Sequence, residues 1–281
     1  MKCFSVPLPS DSGSTPELRC YIPDNFASLE ADRKRTAVLI CPGGAYVKCC
    51  DYEAEMVALQ YVAEDMAAFV LYYSAKDHQA TFPKCQLEAL TSIKLIRENC
   101  EEWHIDPERI AILGFSAGGH LAGSVGALWN ADFAKEAFGD CSVCKPNAVI
   151  LCYAVLTSDN RFWNKGSFHH LMGRELPQGV YDSVSVEKLV TEEYPPTFLW
   201  HTAEDTTVPP QNSMLMAMAL AEKGVRYELH IYPEGKHGTA LANEKTAPVR
   251  DGVASPAHLV PRASEWMGNS IRFLKNNAFK S

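Results

Sequence analysis

The sequence has no apolar run approaching the ~18 residues that a membrane-spanning helix needs, and no block of consecutive lysines and arginines. A spanning helix is therefore not expected. A nucleic-acid footprint is not expected either, because the formal net charge is −8 and no basic amphipathic stretch offsets it. The N-terminal stretch MKCFSVPLPSDSG carries proline, serine and aspartate where an export signal would carry an apolar segment, so a cytoplasmic location is expected. Metal-site spacing is missing too. Cys141 and Cys144 form a CxxC in FGDCSVCKPN, but no second CxxC or suitably spaced histidine pair completes a tetrahedral site. Without an export signal, the ten cysteines are expected as reduced, buried small hydrophobes rather than a disulfide framework. His169-His170, in GSFHHLMG, is expected as a loop or helix-start pair, and no metal or other cofactor is expected.

What is present is enough for a large core: 281 residues, 47% of them apolar, which suits one α/β domain spanning residues 1–281. Short apolar runs near 17–22, 36–41, 68–74, 109–114, 147–153, 196–201 and 226–232 predict strands. Longer amphipathic stretches near 52–65, 83–101, 117–129, 209–223 and 262–276 predict helices; in the second, Leu87, Leu90 and Ile93 fall on one stripe. This alternation implies a mostly parallel, twisted sheet with helices on both faces. Residues 158–190 fit no strand–helix unit. They are expected to form a small insertion over the carboxyl ends of the strands, where open α/β sheets bind ligands.

The ten residues GFSAGGHLAG, Gly114 to Gly123, follow the apolar run RIAILGF. Ser116 could simply cap a helix, as serines often do. However, Gly118 and Gly119 would each cost about 1 kcal/mol in an ordinary helix interior, and a strand followed directly by Gly-x-Ser-x-Gly and a helix is the setting of a nucleophilic serine. Such a hydroxyl needs a base, and the base needs a third group to hold its tautomer. Both are expected after the serine, on loops beyond later strands. TAEDTTVPP follows the strand PTFLWH and carries Asp205; PEGKHG follows RYELHIY and carries His237. Asp159, beyond the strand AVILCYAVL, is the alternative acid, with Asp205 favoured. His201 ends a strand, His230 lies within one and His120 rides on the helix after Ser116, which leaves His237 as the expected base. The oxygen that becomes negative during attack needs backbone N–H donors, worth roughly 3–4 kcal/mol apiece. Ala117 supplies one. The loop in CPGGAY supplies the other, where Gly43 and Gly44 let amides turn inward.

Together CPGGAY, GFSAGGHLAG, HTAEDTTVPP and PEGKHG resemble the serine esterases of the α/β-hydrolase fold, in the acetylxylan-esterase-like branch near the hormone-sensitive-lipase and dienelactone-hydrolase relatives. The resemblance runs from about residue 17 to 276. It implies Ser116 as nucleophile, Asp205 as acid, His237 as base, and amides of Gly44, Ala45 and Ala117 as the oxyanion hole. The family's usual histidine before the glycines, a loop organiser, is replaced here by Cys41-Pro42. Dienelactone hydrolases carry a cysteine nucleophile, so that subgroup fits poorly. The expected reaction is hydrolysis of small carboxylic esters through an acyl-enzyme, with no nucleic-acid or membrane partner and with homo-oligomerisation left open. Competing readings are a serine peptidase of the prolyl-oligopeptidase type, whose large extra domain has no room here, and a non-catalytic ligand-binding member of the fold, which would normally have lost a triad residue. Tyr46, Phe162 and Trp163 are the candidate substrate contacts. The insertion is polar, with aromatics that suit a sugar or equally serve to pin the segment to the core, so acetyl or other short acyl groups on carbohydrate are the expected substrates.

Overall fold

The computed structural model describes residues 1–10, 15–75 and 81–279. Its centre is an eight-stranded sheet in the order β1-β2-β4-β3-β5-β6-β7-β8. The strands are β1 Lys2–Pro7, β2 Glu17–Ile22, β3 Arg35–Cys41, β4 Ala67–Tyr72, β5 Ile105–Phe115, β6 Ala148–Cys152, β7 Thr197–Thr202 and β8 Tyr227–Tyr232. β1, β2 and β4 pair antiparallel, and every pair from β4 to β8 is parallel. The seven expected strands are all present, within a few residues of their expected limits. β1 was not expected. Its residues, KCFSVP, lie almost entirely in solvent at the sheet edge, so they carry no alternation of apolar and polar side chains from which a strand could be read.

The central strands are apolar at consecutive positions because both of their faces are covered. Along β5, Ile110 and Ile112 enter one core, while Ala111, Leu113 and Phe115 enter the other. The first core is closed by α2 (Lys84–Glu98), α3 (Ser116–Leu128) and α6 (Gln211–Glu222), through side chains such as Leu90, Ile93, Leu121, Val125, Met216 and Leu220. The second is closed by α1 (Glu55–Ala63) and by α7 (Pro261–Ser264) and α8 (Trp266–Phe273), with Val57, Tyr61, Trp266 and Ile271 inside. Two short helices lie outside the expected set: α4 (Asp132–Phe138) and α5 (Lys165–Met172). α5 sits within the 158–190 segment and has readable ends. Asn164 Oδ1 accepts from the Ser167 amide at 3.0 Å, and Gly173 closes the helix with φ 70°. No described helix is long and apolar enough to cross a membrane.

The glycines of GFSAGGHLAG let α3 begin in near-contact with the sheet. A Cβ on Gly114 would lie 1.9 Å from the Gly118 carbonyl oxygen, and one on Gly118 would lie 2.1 Å from that of Cys41 and 2.3 Å from that of Pro42. These neighbours are backbone atoms of β3 and α3, which cannot give way separately. Gly118→Ala is expected to destabilise by roughly 1–3 kcal/mol, lowering Tm by several degrees in thermal unfolding. Gly268→Ala is the control: it sits in α8 with nothing within 4 Å of the added carbon, and should be neutral or stabilise by up to about 1 kcal/mol.

Candidate active site

Ser116 takes φ 52°, a left-handed conformation that a side chain with a Cβ adopts only under constraint. The constraint comes from both sides: Phe115 ends β5 paired with Cys152 of β6, and the Ser116 carbonyl accepts from the Val155 amide at 3.0 Å. The turn lifts the hydroxyl above the carboxyl end of the sheet. There Ser116 Oγ lies 2.8 Å from His237 Nε2, and His237 Nδ1 lies 2.6 Å from Asp205 Oδ2. Asp205 follows β7 and His237 follows β8, so three loops from separate strands converge. A carboxylate can only accept, so Nδ1 carries the proton and Nε2 is left to accept from the serine hydroxyl.

Asp205 is buried and is fastened on every side. Its Oδ1 accepts the amides of Thr207 and Val208, both at 2.9 Å, and His201 Nε2 stands 3.3 Å from Oδ2. Burial by itself would raise the carboxyl, but the bonds from His201 and His237, with the His237 charge and the Val208 amide, hold it well below the usual carboxylate range. From the sequence His201 is only a weaker candidate for the base. It is instead completely buried beside the acid, with Nδ1 2.8 Å from Ser213 Oγ and Nε2 shared between the Val208 carbonyl at 2.8 Å and Asp205 Oδ2. Asp159, the alternative acid, forms a paired bond with Arg161, which lowers its carboxyl to about 2, while among the described residues the carboxylate bonded to His237 is that of Asp205.

The loop in CPGGAY holds three consecutive residues at positive φ: Gly44 at 130°, Ala45 at 54° and Tyr46 at 59°. Among the described residues, neither the Gly44 nor the Ala45 amide donates to a backbone carbonyl. The Gly43 amide, in contrast, is taken by Glu53 Oε2 at 2.7 Å. Ala117 lies in the first turn of α3, where amides have no partner inside the helix. This loop is gripped from residues 158–190. His170 Nδ1 donates to the Ala45 carbonyl at 2.8 Å, so the His169-His170 pair belongs to the last turn of α5, not to a loop or helix start. Tyr46 requires a correction: its ring is buried, 1% exposed, and its hydroxyl is bonded to His120 Nδ1 at 2.8 Å, leaving the side chain no surface for a substrate. His120 Nε2 donates in turn to the Val184 carbonyl, in the same 158–190 segment, at 2.7 Å. Trp163 is half-buried against Tyr181 and Phe168, with ring centroids 5.5 and 6.2 Å away, and Phe162 lies under the Arg161 guanidinium.

The ten cysteines are free thiols, most of them buried. Among the described residues no group of three or more histidine, cysteine and acidic side chains is arranged to hold a metal ion.

The sheet order and a serine at a left-handed strand-to-helix turn, with its acid and imidazole on loops after later strands, define the α/β-hydrolase class. A family model described as BD-FAE matches residues 24–220, and the chain belongs to that family. It is similar to endo-1,4-beta-xylanase B of Butyrivibrio fibrisolvens, at 37% identity over 80% of this chain and 36% of that protein. It is also similar to an acetylxylan esterase of Xylanibacter ruminicola, at 26% identity over 84% of this chain and 46% of that protein. The chain thus spans less than half the length of either of these curated relatives. Among solved structures, an acetyl ester-xyloside bifunctional hydrolase from Caldicellulosiruptor lactoaceticus superposes with TM-score 0.79 at 32% identity, covering 96% of this chain and 90% of that one. A carboxylesterase from Lactobacillus plantarum shares the fold at TM-score 0.85 and 24% identity, covering 100% of this chain and 99% of that one.

The bridge from Tyr46 through His120 to Val184 has a pH signature. Burial lowers the His120 imidazole from 6.5 to about 4, against a smaller opposing contribution from the Val184 bond. Between those values the unfolded chain takes up a proton that the native state refuses, so stability is full above pH 6.5 and declines as the pH falls towards 4. The loss from this group is roughly 3 kcal/mol. Denaturant titrations across that window should show the decline, and His120→Asn should begin less stable with a pH dependence shallower by about one proton.

Proposed function

We propose that this chain is a carboxylic ester hydrolase working through an acyl-enzyme. The observation that carries the reading is the continuous chain of short bonds from Ser116 Oγ through His237 to Asp205, built on a left-handed serine turn. Ser116 attacks the ester carbonyl as His237 Nε2 takes its proton. Asp205 keeps His237 in the tautomer that can accept and favours the imidazolium that forms. The developing oxyanion is met by the amides of Ala117 and of Gly44 or Ala45. His237 then returns the proton to the leaving alcohol and next activates the water that releases the acid.

The substrate part of the proposal is an ester of a short acyl group, acetyl above all, on a small carbohydrate. Two relatives support it by their names, the acetylxylan esterase of Xylanibacter ruminicola and the acetyl ester-xyloside hydrolase of Caldicellulosiruptor lactoaceticus. The character of residues 158–190 supports it as well. This segment, which we take as an insertion over the site, reaches the Ala45 carbonyl through His170 and the Thr207 carbonyl through Asn164, and its sequence is largely polar, with Arg161, Asn164, Lys165, His169, His170 and Arg174. A cytoplasmic location is part of the same proposal, and the ten free thiols support it.

A fluorophosphonate probe should label Ser116 and leave Ser116→Ala unlabelled; an unlabelled wild type would favour a binding role instead. In steady-state assays Ser116→Ala or His237→Ala should lower kcat by roughly 10⁴- to 10⁶-fold and Asp205→Asn somewhat less, while Asp159→Asn should stay within a few-fold of wild type. Activity lost on Asp159→Asn but kept on Asp205→Asn would reverse the assignment of the acid.

Substrate choice is checked by kcat/KM on p-nitrophenyl esters, where acetate or propionate should exceed octanoate. An octanoate preference would remove the short-acyl part of the proposal, and faster cleavage of peptide anilides than esters would point to a peptidase. Trp163→Ala should weaken an acetylated sugar more than p-nitrophenyl acetate if the ring meets sugar. Equal losses would mean that it only pins the insertion.

A further inference from the structure

Glu53 is a buried carboxylate that the mechanism above does not use. It closes the single 3-10 turn Asp51–Glu53 between the Gly43-Gly44 loop and α1, and it is 1% exposed. Its Oε2 accepts the Gly43 amide and its Oε1 accepts the Tyr153 hydroxyl, each at 2.7 Å. The Tyr153 oxygen in turn accepts the Ala240 amide at 3.0 Å. Tyr153 directly follows β6 at φ 36°, and its ring meets the His237 ring edge-on at 5.1 Å between centroids. A Cβ on Gly43 would lie 2.8 Å from Glu53 Oε2 and 2.9 Å from Ser116 Cβ, so the carboxylate and the serine flank one glycine. Through these bonds one side chain joins the loop that carries the oxyanion amides to the loop that carries His237.

Counting donors and acceptors identifies the ionic form. Gly43 and Ala240 amides can only donate, and the Ala240 amide already occupies the Tyr153 oxygen as acceptor, so the phenolic proton points at Glu53. A carboxylate satisfies every group; a carboxylic acid would leave one hydrogen without an acceptor. Burial pushes the Glu53 carboxyl up, while the bonds from Tyr153 and Gly43 and the attraction of His237 work in the other direction.

We infer that Glu53 is a positioning residue of the hydrolytic site: ionised and buried, it ties the oxyanion loop to the His237 loop and supplies a second negative charge, beside Asp205, that favours the imidazolium formed when Ser116 gives up its proton. Glu53 itself takes no proton; that one passes from Ser116 Oγ to His237 Nε2. The inference rests on the ester-hydrolase reading. Other titratable groups near the pair leave the charge balance unchanged. Burial holds Cys50, Tyr52, Cys152 and Tyr153 neutral around Glu53, and the Tyr52 hydroxyl is also the group beside Gly238. Glu204, Glu234 and Lys236, on the loops around His237, are exposed and screened by solvent.

The test is E53Q, nearly the same size but uncharged, whose amide would present N–H to one of two donors. Wild type and variant are compared on p-nitrophenyl acetate across pH and by fluorophosphonate labelling. In E53Q the plateau kcat should fall roughly 10- to 100-fold, with KM within about twofold of wild type. The acid limb of kcat/KM should move to lower pH by about half a unit, because a histidine without the neighbouring charge loses its proton more easily. An acid limb that stays in place, whatever happens to kcat, overturns the inference. Should E53Q fail to fold, Y153F takes its place: it keeps the charge and cuts only the link to the His237 loop, so a several-fold loss of kcat at unchanged KM supports the inference and a wild-type kcat overturns it. A wild-type protein that neither hydrolyses an ester nor labels at Ser116 overturns the ester-hydrolase reading and this inference with it. A reactive wild type beside an E53Q of equal rate and equal acid limb overturns this inference alone.

Discussion

The near-contact between the start of α3 and the carboxyl ends of β3 and β5 is the constraint on which the rest of the site depends. Gly114 and Gly118 have no side chains because the space is filled by the backbone of Gly118 and of Cys41-Pro42. That closeness forces the turn at Ser116 into the left-handed region, which costs of order 1–3 kcal/mol for a residue with a Cβ. The strain is held by cooperative pairing of β5 with β3 and β6 and by two apolar cores, one against each face of the sheet.

Around this turn, polar groups are buried with partners in place. The Asp205 carboxylate meets two amides and two imidazoles, Glu53 meets an amide and a phenol, and His120 lies between a phenol and a carbonyl. An unmet buried donor or acceptor costs about 1–3 kcal/mol, so such networks favour a single arrangement of the loops over nearby alternatives. Here they do so at the positions where the backbone is strained: Ala45, Tyr46, Tyr153 and Ala240 all have positive φ and all take part in them. Rigidity of this kind is what oriented amides need, because a donor that must first turn towards a developing charge stabilises it less.

Cys41-Pro42 stands where the esterases that the sequence resembles are expected to carry a loop-organising histidine, and here the loop is held by other means. The Cys41 thiol is buried at the end of β3 with its acidity suppressed. The Glu53 carboxylate accepts the Gly43 amide, and His170, in the 158–190 segment, holds the Ala45 carbonyl. The 158–190 segment is thereby connected to the Gly43–Tyr46 loop, the proposed oxyanion loop, twice, by His170 and by the Tyr46–His120–Val184 bridge. Movement of the segment would be felt at the amides.

The sequence by itself determined the strands that are buried on both faces, the helices that cover them and the order Ser116, Asp205, His237. Those features rest on local patterns: apolar runs of strand length, helical stripes, and residues lying just beyond strand ends. β1 was not legible because an exposed edge strand has no buried face to imprint on its residues, and α5 was missed although Asn164 and Gly173 mark both of its ends. Tertiary structure closed the choice of acid that the sequence only weighted towards Asp205, because Asp159 and Asp205 both follow strands and the three-dimensional path turns Asp159 onto Arg161 and Asp205 onto His237. It also decided the parts played by Glu53, His120, His170 and His201. Each of these acts on a residue far away in sequence or through a buried partner, and an acidic residue at a helix entrance or a histidine at a strand end carries no local mark of what will be packed against it.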